Sequence, residues 1–247
     1  MTLRSSALLP WLLLLAQGLA TAADGAGGER DLSGVWLPDS RRSERLPADL
    51  PWTEAARIAV AAYSARYEPV DPTRDDANAS CIAEPMPYGM RLLAQYPFEI
   101  LMTPQRVTVF FEVYGGVRRI HLDGRLAPAE MLPTTLGHST GRWEGNELVV
   151  ETTRVKVEGA GPMSGSPPRS PGRRFVERLS IGQDPQGRRE LRNTITIHDP
   201  AVLREPVTLR MYYKQAAAGI EVGEYLCQQD IWDQNVQGNP STIPWRH

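Results

Sequence analysis

From Phe98 onward the sequence is a series of short runs that alternate apolar and polar residues, and this series constrains the fold more than any other feature. "FEILMTP", "RVTVFFEVY", "VRRIHLDG", "NELVVETTRVKV", "RRFVERLSIG", "RELRNTITIHD", "PVTLRMYYKQ" and "IEVGEYLCQQ" follow one another, mostly separated by Gly, Pro, Asn or Asp. A period of two is the signature of β-strands, and Gly115-Gly116 reads as a hairpin turn. With "DLSGVWLPD" (Asp31 to Asp39) ahead of them, the runs predict about eight or nine strands, which favours an antiparallel barrel or sandwich. Closing the sheet into a barrel removes its exposed edges. One stretch changes period: in "PWTEAARIAVAAYSARYEP" Ile58, Ala61, Ala62 and Ala65 recur at helical spacing, with Thr53 as N-cap and Pro69 beyond the end. The segment "CIAEPMPYGMRLLAQYP" is rich in Pro and Gly and reads as an ordered loop. The expected fold is mainly β, an antiparallel barrel with one N-terminal helix and long loops.

The first residues, "MTLRSSALLPWLLLLAQGLATAADG", have the form of a secretory signal: Arg4 in a short positive region, an apolar stretch from Ala7 to Leu15, and Ala20-Thr21-Ala22 as a small-x-small cleavage site. The apolar stretch is shorter than the roughly 20 residues a bilayer crossing needs. Residues 1–22 are therefore expected to be removed, leaving residues 23–247 as one barrel domain in the periplasm or outside the cell. The 27 Lys and Arg are balanced by 29 Asp and Glu, so no basic excess draws the chain to nucleic acid or anionic lipid. Cys81 and Cys227 are the two cysteines, and in an exported chain an even count favours a disulfide. They lack the close paired spacing of zinc ligands. The sequon Asn78-Ala79-Ser80 matters only in a host that glycosylates.

Alternation also assigns faces. In "RVTVFFEVY", Val107, Val109, Phe111 and Val113 share one face, and Thr108, Phe110, Glu112 and Tyr114 share the other. If the aliphatic face packs against the helix or loops, the mixed face lines the interior and Glu112 points inward. In "RRFVERLSI", Phe175, Glu177, Leu179 and Ile181 fall together, which puts a carboxylate in an apolar row. A buried carboxylate is costly unless paired, so Glu177 should meet Arg118, Arg119, His121, Arg192 or a ligand; the alternatives are a structural ion pair or a solvated strand end. His138 and Ser139 stand in "LGHSTGRWEGNELVVETT", where Gly137 to Gly145 reads as a loop and turn into a strand from Leu148 to Thr152. Glu144-Gly145-Asn146 makes the reversal, and Trp143 packs on the barrel. His138, Ser139, Glu112 and Tyr114 are thereby expected to share one rim, with the Pro/Gly/Ser-rich loop from Glu158 to Arg173 as a possible cover.

No HxH or HExxH spacing points to a metal, and none of the nucleophile-elbow, P-loop or dinucleotide fingerprints occurs in its required context. No cofactor is implied. Three functions remain: a binding protein holding a small, partly apolar molecule in the barrel, a metal-independent enzyme (isomerase, lyase, cyclase or hydrolase) with a His/Glu acid-base pair, and a structural domain of the cell envelope. In the enzyme reading His138, Glu112 and Glu177 carry the chemistry; Tyr114, Ser139, Phe110, Phe175, Arg118 and His121 line the ligand site.

Taken together, "DLSGVW", "RRIHLDGR", "GHSTGRWEGNELVVET", "VERL" and "TIHDP" resemble a family of exported bacterial proteins from soil and environmental species, and the resemblance runs from Asp31 to about Cys227. No catalytic residues are established in that family, so the resemblance implies no activity. Its members often carry a Pro-His-Ser near "SPPRSPGR", where this chain has no histidine. Gly34-Val35-Trp36 is also similar to the G-x-W signature of lipocalin-type barrels. That likeness implies a tryptophan closing the barrel base, an arginine from the last strands stacked on it, and a ligand site at the opposite mouth.

Overall fold

The computed structural model describes residues 28–47, 49–66, 85–87, 90, 96–157 and 169–223. The expected signal segment, Cys81 and Cys227, the sequon, most of the loop after Glu158 and the end of the last expected strand lie outside them. Nine strands close into one barrel in chain order: β1 (Gly34–Pro38), β2 (Phe98–Thr103), β3 (Arg106–Phe111), β4 (Val117–His121), β5 (His138–Glu144), β6 (Glu147–Thr153), β7 (Arg174–Gln183), β8 (Arg189–His198) and β9 (Val207–Gln215). The helix α1 (Glu54–Arg66) begins where Thr53 Oγ1 accepts the Ala56 N–H at 3.2 Å. The side it turns to the protein is Ala56, which is buried, whereas Ile58, Ala61 and Ala62 are exposed. The apolar stripe expected from spacing is therefore not the packed one.

Every neighbouring pair of strands is antiparallel except β4 and β5, where Ile120 faces Ser139 and His121 faces Thr140 in parallel register. The barrel is thus mixed, not purely antiparallel. A parallel pair needs a crossover connection, and residues 122–137 supply it. That connection is tied down by the Thr134 N–H on the Arg154 carbonyl (3.0 Å) and the Lys156 N–H on the Thr134 carbonyl (2.9 Å). β5 is the strand that alternation missed. Its inward positions begin with Ser139 and Gly141, which are too small to register as an apolar row. Gly141 is small for a reason: a Cβ there would lie 2.9 Å from Ile120 Cγ2 and 3.2 Å from Leu148 Cδ1. Gly137, just ahead of the strand, combines φ of 69° with a would-be Cβ 2.5 Å from the Thr153 carbonyl oxygen, so only glycine fits. The segment 220–223, expected to open a further strand, is irregular.

The barrel interior is packed. Val107, Val109 and Phe111 point inward with Phe98, Ile100, Leu148, Val150, Leu191, Ile195, Ile197, Leu209, Met211 and Tyr213. This reverses the faces expected for β3: Phe110 and Thr108 look outward, and so does Glu112 beyond the strand end. The aliphatic row is the one that gains most from leaving water, and α1 does not cover this wall, so the interior claims it. Aromatic packing is close, with Phe98 edge-on to Tyr213 at 5.0 Å and tilted against Phe111 at 6.0 Å.

The two ends are closed differently. At the end where β1 begins, called here the Gly34 end, the fully buried Trp36 donates its indole N–H to the Leu32 carbonyl (2.9 Å). The Arg189 guanidinium lies over its ring, 5.1 Å from the centroid, and donates to the carbonyls of Ser33 and Asp31. At the opposite end Met86 and Met90 fill the interior. The Met86 N–H reaches the Thr135 carbonyl at 2.9 Å, and the Tyr213 hydroxyl donates to the Met90 carbonyl. The start of α1 docks there too, through the Thr53 N–H on the Val202 carbonyl.

Candidate functional site

Two places concentrate polar chemistry. The first is inside the barrel. Glu177 on β7 is fully buried and paired with Arg118 on β4, whose guanidinium is itself only 1% exposed. The pairing is bidentate, Arg118 Nη1 to Glu177 Oε1 at 3.2 Å and Nη2 to Oε2. The remaining donors go to Ser139 Oγ (Nε, 3.2 Å) and Thr152 Oγ1 (Nη2, 2.9 Å), and those hydroxyls are 2.9 Å apart. Asn193 on β8 adds a third bond to the carboxylate, Nδ2 to Oε1 at 3.0 Å, while its own Oδ1 meets no donor among the described residues. Burial pushes the nearby Tyr213 phenol far above its ordinary value, and the Glu177 charge adds to that. Asn193 was legible in principle: Leu191, Asn193, Ile195 and Ile197 form the same kind of interrupted apolar row as the one that exposes Glu177.

The second place is a cleft of about 590 Å³ at the Gly34 end, lined by Arg30, Asp31, Met102, Thr103, Pro104, Leu122, Gly141, Arg142 and Trp143. Alternation explains why it opens into the barrel mouth. Met102 continues the inward row of Phe98 and Ile100, Leu122 that of Arg118 and Ile120, and Trp143 that of Ser139 and Gly141. All three are only partly buried. Trp36, Leu32 and Arg189 close the other part of this end, and the cleft is left between the β2–β3 turn and the end of β5. Arg30 stacks over Trp143, 5.6 Å from the ring centroid. Arg142 bonds Glu144 at 2.6 Å, and Glu144 also accepts from Arg178 at 2.9 Å. Asp31 keeps its carboxyl below the ordinary value: burial opposes this, but hydrogen bonds from Ser33 and the charge of Arg189 outweigh it.

The rim expected from sequence does not assemble. Ser139 points inward, so His138 beside it points out, where its ring stacks on His121 at 5.0 Å and its Nε2 lies 3.0 Å from the Arg125 carbonyl oxygen. Burial, and next the neighbouring His138, lower the His121 imidazole below its ordinary value. Glu112 accepts the Gly223 N–H at 2.8 Å on the outer surface. Tyr114 sits in the β3–β4 turn with φ of 58°, followed by Gly115 at the same angle, so the reversal falls one residue earlier than Gly115-Gly116. Phe175 is buried in the core under the Arg173 guanidinium, 4.9 Å away. Of the expected site residues, Glu177, Arg118 and Ser139 come together inside; His138 and His121 meet outside; Glu112, Tyr114 and Phe110 join neither group. Sequence reading missed the cleft because it treated residues 137–145 as a loop. Continuing the alternation through "HSTGRWE" would have put Trp143 on the inward side.

Among the described residues no group of three His, Cys, Asp or Glu side chains converges on one metal position. Comparison of the chain with protein-family models and with curated proteins finds no match.

Proposed function

We propose that this is an exported, lipocalin-like barrel that binds a small, partly apolar molecule, and that its site is the cleft at the Gly34 end. One observation carries the reading: Met102, Leu122 and Trp143 hold inward positions at one mouth of a barrel whose middle is packed, yet they remain partly open to solvent around about 590 Å³ of space. Sites for small molecules have this size and make-up, an apolar lining with a few polar groups at the rim. The stacking of Arg189 on Trp36 supports the likeness to lipocalin-type barrels; the parallel β4–β5 pair departs from a simple up-and-down barrel. The chosen mouth is also not the one that likeness implies, since Trp36 and the cleft lie at the same end.

The test is a titration with the neutral fluorescent probe N-phenyl-1-naphthylamine. Saturable binding at one site, weakened by Trp143→Ala with little change in thermal unfolding, supports the cleft. Absence of saturable binding, or binding unchanged in Trp143→Ala, overturns it. Export is tested separately, by the mass of the N-terminus of protein recovered from the periplasm.

A second reading, a structural envelope domain, is favoured by Arg118, whose three guanidinium nitrogens all bond protein acceptors inside the barrel. The acid-base enzyme reading has less support, because the imidazole of His138 stands outside the wall that encloses Glu177.

A further inference from the structure

We propose that the cleft selects a monoanionic amphiphile, a carboxylate or similar single anion on an extended or flat apolar body, with Arg30 receiving the anion and Trp143 the body. The inference rests on the cleft being a binding site and goes on to say which ligands it takes. It follows from how the charges around the cleft are already used. Arg142 is neutralised by Glu144, which Arg178 also holds. The two carboxylates next to Arg30 in the chain already hold other donors: Glu29 accepts from the Asn146 side chain, and Asp31, which also lines the cleft, accepts the Ser33 N–H on Oδ1 at 2.9 Å. Asp31 is further placed beside Arg189, whose guanidinium bonds the Asp31 carbonyl.

Arg30 is thus left, among the described residues, without a carboxylate, its one described contact being the stack on Trp143. A guanidinium lying on an indole keeps its edge N–H groups free, and those groups fit a carboxylate two at a time. Trp143, Leu122 and Met102 line the same cleft and supply its apolar surface. The Met102 sulfur is itself turned to the Leu32 N–H at 3.1 Å. A neutral ligand would leave Arg30 unused. A cation would be repelled by it, and a dianion would bring a second charge to a rim where Arg142 is already paired.

Three competitors that share a ten-carbon chain separate these cases: decanoate, decanol and decylamine, each displacing N-phenyl-1-naphthylamine from the full mature protein. Decanoate is expected to compete about tenfold more strongly than decanol, with decylamine weakest, and to lose that advantage at high salt. Arg30→Gln should abolish the difference between decanoate and decanol; Arg30→Lys should keep part of it. Trp143→Ala should weaken all three. If decanol matches decanoate in the wild type, or if Arg30→Gln leaves their ratio intact, the anion preference is wrong although the cleft still binds. If the probe does not bind saturably at all, the failure belongs to the cleft reading. Thermal unfolding of each variant separates lost binding from lost folding.

Discussion

Glu177 and Arg178 are consecutive residues on one strand, and both are held in ion pairs, but on opposite sides of the barrel wall. Glu177 is fully buried and bonded to Arg118 and Asn193. Arg178 bridges Glu144 and Glu147 at 2.9 and 2.8 Å on a surface where all three side chains are about two-fifths exposed (41, 39 and 43%). The geometries are similar and the consequences are not. Inside, a charge that loses its partner has nothing to replace it; outside, water does so at once. Contact distance therefore says little about energetic weight, and the side of the wall decides.

The largest effect expected from this contrast is at Glu177. Glu177→Ala strands the Arg118 guanidinium in the core and should cost about 3–5 kcal/mol of stability, read by chemical denaturation. Replacing both partners at once, Glu177→Leu with Arg118→Leu, should recover most of that loss, because a well-packed apolar pair dispenses with the charges. A Glu177→Ala protein as stable as wild type would erase the distinction between the two sides.

Arg189→Ala comes next. It removes the stack on Trp36 and the bonds to two carbonyls that fasten the N-terminal segment, for an expected loss of about 1–3 kcal/mol. Gly141→Ala should cost on the order of 1–2 kcal/mol by overpacking, since its Cβ has to displace Ile120 and Leu148. A neutral or stabilising result there would mean that the inner wall yields more easily than its packing implies.

On the outer side, Arg178→Ala should leave the unfolding midpoint within scatter of wild type, and a large loss would show that the surface network is cooperative after all. The smallest effect is a pH dependence. The imidazoles of His121 and His198 are held below the ordinary value near 6.5, chiefly by burial. Below that value the unfolded chain takes up these protons more readily than the folded one. Their contribution is therefore complete above about pH 6.5 and is lost as pH falls towards the lowered values. Thermal midpoints measured from pH 8 down to 5.5 should fall slightly, and His121→Gln with His198→Gln should flatten that part of the curve.

Much of this was readable in the chain because strand alternation is a local property. The row Phe175, Glu177, Leu179 marks a carboxylate among apolar neighbours, and the only remedy for a buried carboxylate is a partner such as Arg118. Gly145 at the β5–β6 turn and Thr53 at the start of α1 were local as well, since a turn or a cap depends on a few adjacent residues. What alternation by itself left open is which face of a strand becomes the inside. Val107 and Phe110 occupy opposite faces of β3, and only closure of the sheet turns the valines inward and Glu112 out, where it accepts the Gly223 N–H. Only the tertiary structure brings β4 and β5 together in parallel, stacking His138 on His121 outside the barrel rather than placing it beside Glu177. The cleft is decided the same way: Arg30, Met102, Leu122 and Trp143 come from four separate stretches of chain, and the space among them exists because strands distant in sequence end at the same mouth.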